Sequence, residues 1–266
     1  MNSDKRSGSL IDRISVVAIL LTCVFVVYTN WAAFFPSAPQ IALPTQPVSI
    51  DGASRKGSTS APVVLIEWSD YQCPFCGKAE RETLPAIDRR FLQSGKVELA
   101  FFQHPLTRIH PHAQKAAEAA ICSGRQGKFW EMQTALFADQ NRLAEADLAA
   151  RARDLNLDAA QFDKCMAGEA VNQVKADVTK AEQLGLTSTP AFLVGRRQQD
   201  GRVLITGGVA GVRSEKEFVD SLNRALGDEP PPYRLIAIVA GGLAVLAVAI
   251  YSLRRRRTVS DPAPVG

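Results

Sequence analysis

The sequence is poor in the features that indicate a nucleic-acid partner or a structural metal. Its 266 residues carry a formal net charge of only +4, and residues 36–233 contain 23 Lys and Arg against 24 Asp and Glu. With no basic patch or Arg-rich helix, we expect no nucleic-acid partner. No second cysteine pair or histidine pair stands at the spacing of a structural zinc site. There is also no internal repeat, which excludes a repeat array.

Charged residues are absent from two long stretches. Residues 14–35 and residues 235–253, of 22 and 19 residues respectively, contain no Asp, Glu, Lys or Arg. Each stretch is long enough to cross a bilayer as a helix. No clean small-x-small cleavage site follows the first, and Trp31, Phe34 and Phe35 suit a membrane interface. We therefore predict an uncleaved N-terminal transmembrane anchor and a C-terminal transmembrane helix.

Basic residues flank both stretches on their outer sides. Three precede the first stretch, and four arginines at residues 254–257 follow the second. By the positive-inside rule, the two tails, residues 1–13 and 254–266, are expected to be cytoplasmic. The central part of the chain is then expected outside the cytoplasm, with membrane lipid as a partner.

Two linkers are predicted to separate the spans from a single domain. Residues 36–61 are rich in Pro, Ser and Gly, which is typical of an extended extracytoplasmic linker, with one short strand at residues 48–50. Residues 227–234 include Gly-Asp-Glu-Pro-Pro-Pro and form a short, stiff break. The domain itself is expected to cover residues 62–226.

The motif Cys73-Pro74-Phe75-Cys76 stands where a strand is expected to end and a helix to begin. The apolar run 62–66 precedes it, and residues 77–91 carry apolar side chains at helical spacing. The first thiol then lies where unpaired backbone N–H groups and the helix dipole favour a thiolate. Pro74 suits the first helical turn. Two sulfurs within one turn can be oxidised together, and we expect Cys73 to be exposed with Cys76 behind it.

Strands and helices alternate through the domain, which predicts an α/β fold. Four strands are expected, at residues 63–68, 97–103, 191–194 and 202–206. The first two flank the helix 77–91, an order that favours a parallel crossover. A helical block at about residues 110–186 interrupts the sheet. A capping box, Ser214-x-x-Glu217, begins the last helix.

Five short motifs follow one another along the chain in a characteristic order. They are Ala61-Pro62-Val63, the run from Glu67 to Cys76, Gly127-Lys128-Phe129-Trp130, Thr189-Pro190 and Phe192-x-Val194-Gly195. Over about residues 48–226 they resemble the DsbA-like thiol:disulfide oxidoreductases of the thioredoxin superfamily. The resemblance implies a thioredoxin fold with a helical insertion and disulfide exchange with cysteine-containing proteins. It implies no cofactor beyond a redox-active Cys73–Cys76 disulfide, and a setting on the periplasmic side of the bacterial cytoplasmic (inner) membrane.

The same resemblance implies roles for individual residues. Cys73 matches the nucleophile and Cys76 the thiol that resolves the mixed disulfide. Pro190 matches the cis-proline beside the active-site sulfurs, and Thr189 before it would offer backbone bonds to an extended substrate. Glu67 matches the buried acid that assists proton transfer at the second thiol. Burial is also indicated by the apolar neighbours of Glu67, and buried acids titrate high.

Phe75 departs from the best-known oxidase motif, Cys-Pro-His-Cys. Without an imidazole there, one group that stabilises the thiolate is lost, so the pair is expected to be less oxidising than the strongest members. We expect a potential of roughly −270 to −120 mV, between thioredoxin and DsbA. The direction of electron transfer stays open at this stage.

The remaining cysteines are Cys23, Cys122 and Cys165. Cys23 falls inside the first apolar stretch, where a lone cysteine is unremarkable. Cys122 and Cys165 fall on separate helices of the insertion. In an oxidising compartment such a pair forms a structural disulfide, stays as two buried thiols, or relays electrons to Cys73, and geometry decides among these.

The leading hypothesis is a membrane-anchored oxidase that is reoxidised by a membrane redox partner. The alternatives are a disulfide reductase or isomerase, for example for haem or metal-site assembly, and a non-catalytic copper or haem chaperone. The three histidines, His104, His110 and His112, lie between or beside prolines without an accompanying carboxylate or thiol. We therefore expect no metal site.

Overall fold

The computed structural model describes residues 43–227. Within that range no helix has the length and apolar character needed to cross a bilayer. The spans predicted at residues 14–35 and 235–253 lie outside the described residues, as do both tails. The same holds for residues 36–42 of the first linker and for 228–234 of the second.

A five-stranded mixed sheet forms the centre of the domain. Its strands are β1 (Ser54–Gly57), β2 (Val63–Ser69), β3 (Val97–Gln103), β4 (Ala191–Arg197) and β5 (Val203–Ala210). Their order is β1-β3-β2-β4-β5, with β2 and β3 parallel and the other neighbours antiparallel. Every residue of β2 and β3 is buried, as befits strands covered on both faces. The parallel crossover predicted from the sequence is confirmed.

One helical segment connects β2 to β3. It consists of α1 (Pro74–Lys78), a π-helical turn at Ala79–Thr83, α2 (Leu84–Ile87) and a second π-helical turn at Asp88–Leu92. Pro85 has no N–H to donate into the preceding turn, which accounts for the irregular hydrogen bonding before it. The helix predicted at residues 77–91 is therefore present, but it is not a regular α-helix.

The helical insertion lies between β3 and β4. Its helices are α3 (Ala113–Gly124), α4 (Phe129–Ala138), α5 (Glu145–Asp154), α6 (Ala159–Lys164) and α7 (Val171–Gln183). A π-helical turn, Cys165–Glu169, joins the last two. Cys165 in that turn forms a disulfide with Cys122 of α3, with their Cα atoms 5.6 Å apart. Of the three alternatives, the structure contains the structural disulfide.

The last helix, α8 (Glu215–Leu226), begins with the predicted capping box. The Ser214 side chain accepts a hydrogen bond from the Glu217 N–H, and the Glu217 carboxylate accepts one from the Ser214 N–H. The helix packs Phe218 and Leu222 against the sheet face that carries Phe192. The domain is thus an α/β fold with a helical insertion, as the sequence predicted.

Alternate residues of β2 divide between two cores. Val63 and Leu65 face the α1–α2 segment and α8, whereas Val64, Ile66 and Trp68 face the opposite layer. Since side chains alternate along a strand, Glu67 and Ser69 share the face of Val63 and Leu65. This face of the sheet carries the groups around the cysteine pair.

The predicted linker, residues 36–61, includes residues that belong to the domain, so that prediction was wrong in its boundary. Strand β1 pairs with β3, and Arg55 of β1 forms an ion pair with the buried Glu98 of β3. Its sequence, Ser-Arg-Lys-Gly, carries no apolar signal because an edge strand needs none. The strand expected at 48–50 is reduced to a single antiparallel bridge between Val48 and Val203, although its apolar side chains are buried.

Both ends of the described chain meet the sheet near the β4–β5 turn. Val48 and Val203, at the start of β5, exchange two backbone hydrogen bonds of 2.8 Å. At the end of α8, the Arg196 guanidinium Nε donates to the Ala225 carbonyl at 2.6 Å. The chain therefore enters and leaves the domain near the C-terminal end of β4, away from its first residue, Ala191.

Candidate active site

The cysteine pair lies at the start of α1. Cys73 is the N-cap residue with extended backbone angles, and Pro74 occupies the first turn. Both thiols are free, and Cys73 is only 4 % exposed while Cys76 is fully buried. The expectation that Cys73 is exposed was wrong, because Cys73 packs against the loop before β4. Phe75 between them is 62 % exposed and presents its ring to solvent.

The two thiols have opposite pKa shifts. The pKa of Cys73 falls to about 6, chiefly because the Cys76 thiol donates a hydrogen bond to it, with smaller contributions from the Thr189 side chain and the backbone N–H groups of Cys76 and Phe75. Burial raises the pKa of Cys76 well above its ordinary value, and its interaction with Cys73 raises it further. Negative charge is therefore held on Cys73, as a nucleophilic first cysteine requires.

The loop before β4 covers Cys73. The Thr189–Pro190 peptide bond is cis, and the Thr189 carbonyl oxygen lies 3.5 Å from the Cys73 sulfur. The Pro190 carbonyl accepts a hydrogen bond from the Gly211 N–H at 2.8 Å, which ties this loop to the end of β5. The structure thus brings Thr189 and Pro190 beside the cysteines, where the sequence analysis placed them.

Glu67 lies in the middle of β2 and is fully buried. Neither of its carboxylate oxygens has a hydrogen-bond partner among the residues that the structure describes. Burial raises the pKa of Glu67 well above its usual range, and the charge of Glu80 raises it further. Ser69 follows Glu67 by two residues on the same face of β2 and lowers the pKa of both Glu67 and Cys76, so the acid and the second thiol share one buried region. This position suits a proton donor and acceptor for Cys76.

Two further side chains fix the backbone around Cys73. The Gln140 amide donates to the carbonyl oxygens of Tyr71 and Cys73, both at 2.8 Å. The buried Asp70 carboxylate accepts hydrogen bonds from the Gln72 N–H at 2.7 Å and the Leu106 N–H at 2.7 Å. Nothing in the sequence pattern singles out Gln140, because its loop is 67 residues from Cys73.

The three histidines do not form a metal site in the described residues. His104 is buried, which lowers its pKa, and His110 places Nδ1 2.8 Å from the Asp70 carboxylate. The backbone N–H of His112 donates to the Gln72 side chain. Across residues 43–227 no group of three or more His, Cys, Asp or Glu side chains could hold a metal ion.

A groove of about 710 Å³ runs beside the cysteine pair. Phe75 and Thr189 form the end nearest Cys73, and Val212 and Arg213 extend the groove along the segment after β5. Lys78 and Glu82 of the α1–α2 segment also line the groove. The groove therefore combines an exposed aromatic ring with charges of both signs next to the reactive thiol.

Comparison with known proteins agrees with this arrangement. The thioredoxin family model matches residues 51–205, more than half of the chain. Among solved structures, α-DsbA1 of Wolbachia pipientis superposes with a TM-score of 0.60 at 22% identity, over 68% of this chain and 94% of that one. BdbD of Bacillus subtilis gives 0.58 at 21% identity, over 70% and 98%. A thioredoxin-like oxidoreductase from Silicibacter pomeroyi gives 0.54 at 26%, over 66% and 92%.

Curated relatives match in sequence over only part of their length. A Na⁺/H⁺ antiporter NhaA 3 of Salinispora tropica is 35% identical over 71% of this chain and 28% of its own. An antiporter NhaA 1 of a Mycobacterium species is 36% identical over 74% of this chain and 32% of its own. The chain thus spans about a third or less of the length of these relatives. The family match and the DsbA-like fold agree in assigning the domain, and the chain belongs to the thioredoxin family.

Proposed function

We propose that the chain is a membrane-anchored thiol:disulfide oxidoreductase that exchanges disulfides with extracytoplasmic proteins, acting as an oxidase. The observation that carries this proposal is the division of charge between the two thiols. Cys73, with its pKa lowered to about 6, is about nine-tenths thiolate at pH 7, whereas Cys76 stays protonated. A pair of structural cysteines in a core has no need of this asymmetry.

The reaction begins with the Cys73–Cys76 disulfide. A substrate thiolate attacks the Cys73 sulfur, the Cys73–Cys76 bond breaks, and Cys76 leaves as a thiolate that takes a proton from Glu67. A second substrate thiolate then attacks the substrate sulfur of the mixed disulfide. The substrate gains a disulfide, and Cys73 leaves as a thiolate stabilised at the start of α1. The two electrons end on the Cys73–Cys76 pair, so each cycle requires an external reoxidant.

The lowered pKa of Cys73 supports the oxidase direction. Stabilising the thiolate stabilises the reduced enzyme, which makes the disulfide more oxidising. A value of about 6 lies between roughly 7 for thioredoxin and roughly 3.5 for DsbA. This intermediate position supports a potential within the roughly −270 to −120 mV range. A reductase or isomerase remains the second candidate, because the Phe75 side chain, unlike an imidazole, supplies no hydrogen bond to the thiolate.

The proposed partners follow from this chemistry. Protein substrates with cysteines would occupy the groove beside Phe75, and a membrane redox partner would reoxidise the cysteine pair. The two spans at residues 14–35 and 235–253 would hold the domain on the periplasmic side of the cytoplasmic (inner) membrane, with both termini in the cytoplasm. Ion transport by the matched antiporters is no part of this proposal. A copper or haem chaperone would use the thiols and histidines as ligands, and no group of three or more His, Cys, Asp or Glu side chains within residues 43–227 could hold a metal ion.

Trapping of mixed disulfides tests the proposal. Cys76→Ser leaves Cys73 reactive but removes the resolving thiol, so extracytoplasmic proteins should accumulate on it as adducts that a reductant releases. Cys73→Ser is the matched control and should trap none. A glutathione titration of the full chain should place the potential inside the expected range. Absence of adducts would refute the oxidoreductase, and a potential below about −270 mV would favour the reductase.

A further inference from the structure

The backbone that carries Cys73 is held by the helical insertion as well as by the sheet. The side-chain amide of Gln140, in the loop between α4 and α5, donates to the carbonyl oxygens of Tyr71 and Cys73, both at 2.8 Å. Because carbonyl oxygens only accept hydrogen bonds, the amide nitrogen of Gln140 is the atom that faces them. The two accepting residues flank Gln72, so one amide group spans the turn that leads into α1.

The Gln140 side chain lies across Gly77 to reach these carbonyls. Gly77 is buried inside α1 and is not among the glycines with positive φ, so its backbone would suit other residues. A Cβ atom at this position would lie 2.6 Å from the Gln140 Cδ and 2.7 Å from the Arg81 guanidinium, closer than Cβ atoms approach other groups. Glycine is otherwise a poor helix former. The absent side chain of Gly77 therefore leaves the space that Gln140 occupies.

Contacts on two sides hold the Gln140 loop in place. The Arg81 guanidinium donates to the Phe137 carbonyl at 3.0 Å, which ties the end of α4 to the α1–α2 segment. The Arg151 guanidinium of α5 donates to the Asp139 carbonyl at 2.9 Å. The Phe137 side chain is itself buried. Gln140 therefore extends from a fixed support towards the Cys73 turn.

The groups that stabilise the Cys73 thiolate depend on the direction of its side chain. The Cys76 thiol contributes most to the lowered pKa of Cys73, and the backbone N–H groups of Cys76 and Phe75 add to it. Cys73 has backbone angles of −71° and 120°, outside the helical region that begins after it. These angles aim the Cα–Cβ bond of Cys73 at the donors. A contact that fixes the carbonyls of Tyr71 and Cys73 thus also fixes where the sulfur lies.

We propose that Gln140, lying across Gly77, is a positioning residue that holds Cys73 in its reactive geometry. Gln140 hydrogen-bonds to backbone oxygens and acts on the sulfur through them, which makes the helical insertion part of the redox site. The inference rests on the proposed disulfide exchange and goes beyond it by naming a residue that sets the strength of the oxidant.

The position of Gln140 separates this role from substrate binding. Gln140 does not line the groove beside Phe75 that we propose for substrates. It lines a different cleft, of about 570 Å³, together with Pro74 and His110. A reagent as small as iodoacetamide needs no groove, so its reaction with Cys73 reports on the thiol alone.

The test is iodoacetamide alkylation of Cys73 in the reduced full chain from pH 4 to pH 9, resolved by mass mapping. Gln140→Ala should raise the midpoint of the rate profile by about one pH unit, because the Cys73 sulfur turns away from some of its donors. At pH 5 the rate should fall about threefold, since a roughly ninefold smaller thiolate fraction is partly offset by higher basicity. The glutathione equilibrium at pH 7 should shift about fivefold towards the Cys73–Cys76 disulfide, which makes the variant a weaker oxidant.

Gly77→Ala removes the same contact in a second way. The atoms that a new methyl group would meet are the ends of flexible side chains, so the variant should fold and displace Gln140. It should reproduce the midpoint shift of Gln140→Ala, and the double variant should shift no further than either single variant. Gln126→Ala is the matched control. The Gln126 side chain joins the backbone of Asp158 through both amide atoms, at 3.2 and 2.8 Å, and its loss should leave the midpoint unchanged.

Each outcome decides a separate claim. A wild-type midpoint in Gln140→Ala, or an equal shift in Gln126→Ala, would overturn the positioning role. Additive shifts in the double variant would show that Gly77 and Gln140 act independently, against the shared contact. Should Gln140→Ala fold poorly, Gln140→Met keeps the side-chain length without a donor, and an unshifted midpoint in it would also overturn the role. If the wild type did not exchange disulfides with glutathione, the proposed function itself would be wrong.

Discussion

The pH dependence of Cys73 alkylation gives the sharpest measure of how the fold activates the pair. With a pKa of about 6, Cys73 is about 91% thiolate at pH 7 and about 9% at pH 5. An ordinary thiol of pKa about 8.5 is roughly 3% ionised at pH 7 and about 0.03% at pH 5. The thiolate fraction of Cys73 is therefore about 30 times larger at pH 7 and about 300 times larger at pH 5.

Lower basicity offsets part of this gain. Nucleophilicity falls with pKa at a Brønsted slope of about 0.4–0.5, so 2.5 pKa units cost roughly 13-fold in intrinsic reactivity. Cys73 should then react only about twofold to threefold faster than an ordinary thiol at pH 7, but about 20-fold faster at pH 5. The activation of Cys73 is therefore measured by its alkylation rate at acidic pH and not by its rate at neutral pH.

The assay is iodoacetamide alkylation of the reduced full chain, with mass mapping that reports on Cys73 alone. The lowered pKa of Cys73 also predicts how the stability of the reduced protein changes with pH. The Cys73 thiolate stabilises the folded reduced form at high pH, and this contribution is lost as pH falls through about 6. Cys76→Ala should move the midpoint upward, because the Cys76 hydrogen bond is the largest contribution to the lowered pKa. A wild-type midpoint at pH 8 or above would refute the reasoning.

Three further predictions follow from other parts of the fold. Replacing both Cys122 and Cys165 by Ala removes a cross-link over 43 residues, and urea unfolding should show a loss of about 4 kcal/mol; a loss below about 1 kcal/mol would contradict the entropy estimate. Phe75→His should lower the Cys73 pKa and make the glutathione-measured potential more oxidising, and an unchanged potential would show that the side chain between the cysteines has no influence. Gly195→Ala would place a methyl group against the Leu204 carbonyl, so we expect a destabilisation of about 1–3 kcal/mol in thermal unfolding monitored by circular dichroism. An unchanged melting temperature would mean that β4 and β5 can shift to accommodate the methyl group without loss of stability.

The sequence determines the cysteine site well because its signals are local. The Cys73 motif, the apolar strand before it and the helix after it are neighbours in the chain, so their geometry follows from backbone preferences. Thr189 and Pro190 are 116 residues or more from Cys73, and only the family resemblance linked them to it. The cis peptide bond itself leaves no trace in composition or periodicity.

Other features depend on contacts that no local pattern records. Strand β1 is polar because it forms the sheet edge, and its place is set by pairing with β3 and by the Arg55–Glu98 ion pair. Glu80 looks like an ordinary surface glutamate of an amphipathic helix, although its spacing from Cys76 puts it on the inner face. The burial of Cys73 arises from the loop that contains Thr189, and the Cys73–Cys76 motif alone does not predict it.

The chain enters and leaves the domain at the end opposite to the cysteine pair. Val48 and Ala225 attach beside the β4–β5 turn, whereas Thr189, next to Cys73, precedes the opposite end of β4. At about 3.4 Å per residue, the seven residues of β4 separate these two poles by about 20 Å. A domain tethered through both of its ends would stand with its thiols facing away from the tether. If the proposed spans anchor the domain, a redox partner in the same bilayer would have to reach across about that distance to meet Cys73.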